Sequence, residues 1–152
     1  TVVSCPLDVL PALVRRAQAL GGRAIRLNVA GAFHSPLMAP AAGRLAAALA
    51  GEAIAPPRFP LYLNATARPS GGAIAADMAR QAAAPVLWRQ TLENMAANGV
   101  DTFVEAGPGA VLTGLTQKTL PGARAFYVED GQSLEKLKNW LAQRTGGMAD
   151  GR

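Results

Sequence analysis

Apolar and polar positions change their spacing several times along these 152 residues, and each change marks an element. Residues 1–4 (TVVS) are short, β-branched and apolar, and predict a strand. Asp8 is placed to cap a helix over residues 8–21. On that helix Leu10, Leu13, Val14, Ala17 and Leu20 share one face, Pro11 falls in the first turn, and Gly21-Gly22 ends the run. Residues 23–30 (RAIRLNVA) alternate instead. Ile25, Leu27 and Val29 point one way and Arg26 and Asn28 the other, the mark of a half-buried strand. Residues 1–30 therefore predict β-α-β.

Ser35-Pro36 reads as a helix start, with serine as cap and proline in the first position. Leu37, Met38, Ala41, Ala42, Leu45, Ala48 and Leu49 repeat at helical spacing as far as Gly51. PPRFP is a rigid connector, LYLNA a short strand, and residues 74–82 a helix. Pro85 restarts the chain into a helix over residues 86–98, ended by Gly99. DTFVEA predicts a buried strand, the Gly107-Pro108-Gly109 turn feeds the helix AVLTGLTQKT, and RAFYV is a further strand. Ser133 is expected to cap a last helix from Leu134 to about residue 144, followed by a frayed tail over residues 146–152. Alternating strands and helices predict an α/β fold with mostly parallel pairing.

Composition narrows the class. Half the residues are hydrophobic, 16% are charged and 5% aromatic, which describes a soluble, Ala-rich globular chain. No apolar run reaches the roughly 18 residues needed to span a bilayer, and no signal pattern opens the chain, so no membrane partner is expected. The single cysteine builds no disulfide framework, which points to a reducing cytoplasm. The net charge of +5 is scattered rather than clustered, and aromatics are too few for a nucleic-acid stacking platform. Its functional meaning, where it has one, is attraction to an acidic partner or a phosphorylated substrate.

The one histidine, His34, stands in GAFHSPLMAP, where a predicted strand hands over to a helix. Functional residues of α/β folds collect at such strand ends, and a neutral imidazole there suits a general base. Gly31 permits close approach and Phe33 offers a bulky wall. No partner nucleophile is evident: there is no G-x-S-x-G, Ser35 reads as a cap, and Cys5 lies near the chain end. One histidine and one cysteine make no metal site. The turn in VEAGPG offers backbone N–H groups to an anion, although it is no G-x-G-x-x-G or Walker motif and a simple tight turn is the favoured explanation.

Four stretches, in order, resemble the C-terminal half of the malonyl-CoA:acyl carrier protein transacylase family: LNVAGAFHSPLMAPAAGRLAAAL, PLYLNATA, ARQAAAPVLWRQTLENMAANGVDTFVEAGPGAVLTGLTQK and FYVEDGQSLEKL. The resemblance implies the C-terminal part of an α/β-hydrolase-like acyltransferase domain over residues 31–145. Residues 1–30 would be the β-α-β half of a ferredoxin-like subdomain. It implies transfer of malonyl from coenzyme A to the phosphopantetheine thiol of an acyl carrier protein through a serine ester. His34 matches the family's base, and Gln81 the residue whose backbone carbonyl orients it. Phe33 matches a substrate-binding position associated with malonyl over methylmalonyl. No cofactor is implied beyond the coenzyme A substrate and the carrier's arm.

The same resemblance implies that the elbow serine, the arginine for the malonyl carboxylate and the oxyanion hole belong to an N-terminal half that is not among these residues. The chain, which starts with TVVSCP, reads as an inactive fragment whose partners include that half. Related alternatives are an acyltransferase serving polyketide synthesis and the malonyl transferase subunit of malonate decarboxylase. The alternative of a different class is a non-catalytic chain that binds a carrier protein.

Overall fold

A computed structural model describes residues 1–146, with side chains as far as Arg144. The chain forms two compact units, Thr1–Thr91 and Leu92–Arg152. Their division falls inside a helix. The boundaries expected at residues 30 and 145 follow from the resemblance and describe a different kind of division. Of the tail expected at residues 146–152, residues 147–152 lie outside the described residues.

In the first unit, α1 spans Leu10–Ala19, a 3-10 turn over Pro36–Met38 runs into α2 (Ala39–Leu49), and α3 spans Ile74–Gln81. Strands β1 (Tyr62–Leu63) and β2 (Arg68–Pro69) pair antiparallel, with Leu63 opposite Arg68. Helix α4 (Trp88–Ala97) crosses into the second unit. Proline lies in the first turn of α1, as its fixed φ and missing N–H require. Gly21, at φ +76°, takes the left-handed conformation that ends α1, and Gly22 N–H bonds the Ala17 carbonyl.

Three expectations change here. The strands predicted over residues 1–4 and 23–30 form no ladder; only the helix between them is present. The alternation is real, but its apolar face is uncovered, with Ile25 66% and Val29 62% exposed. A strand exists through its hydrogen-bonded neighbour, and the described residues place none beside these segments. Asp8 does not cap α1. The chain turns through a Val9 N–H bond to the Pro6 carbonyl, which makes Val9 the residue before the helix and leaves it with no side-chain cap. Strand β2 escaped the sequence because its hairpin bends at Ala67, left-handed at φ +57°, rather than at a glycine.

The second unit is a β-α-β-α run: β3 (Thr102–Ala106), α5 (Val111–Thr119), β4 (Arg124–Val128) and α6 (Gly131–Gly146). The two strands pair in parallel, Thr102 with Arg124 through Ala106 with Val128. Such pairing needs a crossover, which α5 supplies. The α/β class expected from the sequence stands. Helices α5 and α6 pack on β4, and the Phe126 and Trp140 rings approach to 4.8 Å. Strand β3 is not buried as expected: Val104 is 48% exposed, and of the helices of this unit α5 packs on β3 while α6 packs on β4. The cap of α6 also differs. Asp130 Oδ1 accepts the Ser133 N–H at 2.7 Å, and Ser133 Oγ accepts the Asp130 N–H at 3.0 Å, a reciprocal capping box led by the aspartate. The Ser133 hydroxyl and N–H hold the Asp130 carboxyl below its ordinary value.

Candidate functional site

Residues 31–35 turn the chain from the exposed 23–30 segment into the Pro36–Met38 turn. His34 is at the bend, with φ +59°, a left-handed conformation that costs a side-chain-bearing residue about 1–2 kcal/mol. Two bonds hold it there. Its backbone N–H donates to the Ala82 carbonyl at 3.3 Å, and its Nδ1 lies 3.1 Å from the Gln81 carbonyl. Both carbonyls belong to the C-terminal end of α3, where helix geometry leaves acceptors unpaired.

A carbonyl only accepts. The contact therefore places the ring proton on Nδ1 and leaves the Nε2 lone pair free on an exposed imidazole. The C-terminal end of a helix also favours positive charge, which an imidazole acquires when it takes a proton. A group so arranged can accept a proton from a nucleophile placed beside Nε2 and return it to a leaving group.

Gln81 is held at both ends. Its backbone ends α3, and its side-chain Oε1 accepts the Asn64 N–H at 2.8 Å. The Asn64 carbonyl in turn accepts the Leu87 N–H at 2.8 Å. Asn64 went unnoticed in the sequence because it acts through its peptide group, 17 residues from Gln81, and carries no local signal.

Phe33 is 52% exposed, its carbonyl accepts the Ser4 hydroxyl at 3.1 Å, and a Cβ at Gly31 would sit 3.8 Å from its ring. Phe33 is thus an open wall beside the histidine, backed by a glycine. Ser35 occupies the cap position of the 3-10 turn, yet its hydroxyl does not cap. It donates to the Ala32 carbonyl at 2.7 Å and closes the bend on itself, 8% exposed. Cys5 is a free thiol.

The glycine turn of VEAGPG has a different fate. Gly107 and Gly109 adopt φ +141° and +86°, so the turn needs both glycines. The glycine N–H groups of the turn and two donors of the first turn of α5 are taken up within the chain, Gly107 N–H by the Val128 carbonyl at 3.0 Å. Glu105 accepts from Thr113 at 2.8 Å and Leu112 at 3.1 Å, and Glu129 accepts from Gly109 at 2.9 Å. The Thr113 N–H bond chiefly, with that of Leu112, holds the Glu105 carboxyl below its ordinary value. The anion suited to this helix N-terminus is the chain's own glutamate, so the anion-binding expectation gives way to a structural corner.

With this geometry in view, comparison with known proteins is specific. Residues 1–143 match the family model described as the acyl transferase domain. A malonyl CoA-acyl carrier protein transacylase of Bacillus subtilis is 36% identical over 115 residues, 74% of this chain and 36% of the relative. The crystal structure of the transacylase of that name from Clostridium perfringens superposes with a TM-score of 0.90 at 31% identity, covering 95% of this chain and 46% of that one. A third structure, a type II PKS acyl-carrier protein in complex with its malonyl-transacylase, has a TM-score of 0.79 at 36% identity over 84% of this chain and 42% of that one. The chain thus spans less than half the length of these relatives. A match over nearly every described residue decides the family: this chain belongs to the acyl transferase domain family.

Proposed function

We propose that this chain supplies the base of an acyltransferase that carries a malonyl group from coenzyme A to the phosphopantetheine thiol of an acyl carrier protein. The observation that carries the reading is the bond between His34 Nδ1 and the Gln81 carbonyl, which leaves Nε2 as the basic nitrogen of an exposed ring. The resemblance to malonyl transacylases, one of them in complex with its carrier protein, supplies the acyl group and the acceptor.

In the first half-reaction, a serine supplied by polypeptide outside these residues gives its proton to Nε2 as its oxygen attacks the thioester carbonyl. The C–S bond breaks, and His34 returns the proton to the coenzyme A sulfur. In the second, Nε2 takes the proton of the carrier's thiol, the sulfur attacks the serine ester, and the serine oxygen is reprotonated. Gln81 keeps the ring in one tautomer throughout, a task given to a carboxylate in other triads. Phe33 narrows the acyl pocket against an α-methyl branch. No cofactor takes part, the setting is the cytoplasm, and fatty acid or polyketide synthesis consumes the product. The net charge of +5 favours encounter with an acidic carrier protein.

The test is an intact-mass measurement on the complete acyltransferase mixed with malonyl-CoA, before and after addition of holo carrier protein. One malonyl adduct, mapped to a serine and lost to the carrier, is expected. An unmodified protein that still binds the carrier would support the non-catalytic alternative and contradict the proposal.

A further inference from the structure

Any residue at position 81 offers a backbone carbonyl, so the contact with His34 does not by itself call for glutamine. The side chain does something more. Helix α3 is only eight residues long, and a helix of that length is not stable alone. Its last turn closes through bonds of the 3-10 type, Ala82 N–H to Ala79 at 3.3 Å and Ala83 N–H to Arg80 at 3.2 Å. Both are long, and such ends fray. Yet this turn presents the two carbonyls that hold His34 in a left-handed conformation it would not otherwise keep.

The Gln81 carboxamide reaches out of this turn to the hairpin, and its 2.8 Å bond from Asn64 N–H is shorter than the two bonds that close the turn. Asn64 is fixed on its other side by Leu87. We infer that the Gln81 side chain, clamped by the Asn64 peptide, is a positioning residue that holds the end of α3 in register and so aims the His34 imidazole. This inference rests on the reading of His34 as the base. The carboxamide touches no substrate; it acts through the peptide whose carbonyl meets Nδ1. Removing it leaves the substrate pocket intact but lets the ring wander, which lowers turnover rather than binding.

The experiment compares Gln81→Met and Gln81→Glu in the complete acyltransferase. Methionine keeps the length and removes the acceptor; glutamate restores an acceptor oxygen. Gln81→Met should lower kcat by roughly tenfold while KM for malonyl-CoA stays within about twofold, and Gln81→Glu should recover most of the loss. Unchanged kcat in Gln81→Met, or equal loss in both variants, overturns the inference. So does a loss confined to KM. Hydrogen exchange in the wild-type chain gives a check independent of catalysis and of whether the variants fold: the Asn64 amide should be protected, and an Asn64 amide that exchanges freely also overturns it. If His34→Ala retains full transfer, the reading of His34 as base fails, whereas these exchange rates would be unaffected.

Discussion

Two corners of this molecule receive a guest at a helix end, and they use it in opposite ways. At the N-terminus of α5 the guest is Glu105, both of whose carboxylate oxygens are taken up by Thr113 and Leu112. At the C-terminus of α3 the guest is His34, which spends one ring nitrogen on the Gln81 carbonyl and keeps the other for chemistry on an exposed ring. The first corner turns both oxygens of its carboxylate inward to backbone donors and is a structural device. The second is held as firmly on one side and left unfinished on the other, which is what a base requires. The backbones differ in the same sense. The α5 corner meets its positive φ with glycines, while the α3 corner imposes one on a histidine. At Ala67 the same conformation only bends a hairpin, so it is strain together with a ring nitrogen left free that sets His34 apart.

The contrast breaks most sharply under His34→Ala in the complete acyltransferase. Malonyl transfer should fall roughly 100-fold or more with folding retained; an active, folded variant would place both corners in the structural class. At the same open corner, Phe33→Ser should raise the ratio of methylmalonyl to malonyl specificity constants by about tenfold, the scale expected for one methyl group against a bulky wall. An unchanged ratio would remove Phe33 from the pocket.

The backbone distinction gives a smaller effect in stability. Gly109→Ala should lower unfolding free energy by about 1 kcal/mol, since it forces a Cβ into φ +86°. At the other corner His34→Gly should be more stable than His34→Ala by about 1 kcal/mol, because glycine relieves the same conformation. Urea unfolding of the three variants measures both, and equal stability of the two His34 variants would contradict the claim of strain.

The smallest effect is with pH. The Glu105 carboxyl is held below its ordinary value by backbone donors, so the folded state favours the charged form. The stability it contributes is therefore complete above the ordinary glutamate value and lost as pH falls through the lowered one. Asp101 and Asp130 are lowered as well and act in the same direction. Glu105→Gln should flatten part of this acid sensitivity, seen by comparing urea midpoints at neutral and acid pH. An identical acid dependence would show that the corner does not depend on the charge.

The sequence was most legible where elements complete themselves within the chain. In β3, α5, β4 and α6, period and punctuation located each element to within a few residues, because strand, crossover and partner strand follow one another. The same kind of pattern misled over residues 1–30, since alternation reports which face is meant to be buried and not whether a neighbour covers it. Caps were the other weakness. Asp8 and Ser35 have the right chemistry, yet a Pro6 turn and the Ala32 carbonyl redirect them, and these are local geometries that residue type does not encode. For the site, GAFHSP marked His34 by its position at an element boundary. The family resemblance, not spacing, pointed to Gln81, 47 residues away. The clamp on Asn64 and the occupation of the glycine turn by Glu105 had no signal at all, because both depend on which peptide a side chain meets after folding.

The single histidine makes the decisive measurement direct. Long-range proton–nitrogen NMR of the 15N-labelled chain at alkaline pH reports which ring nitrogen of His34 carries the proton, with no assignment ambiguity. A ring protonated at Nδ1, with a bare Nε2, is the expected result of a bond to the Gln81 carbonyl. A ring protonated at Nε2, with Nδ1 bare, would mean that the carbonyl does not set the tautomer, and His34 would not be poised as a base.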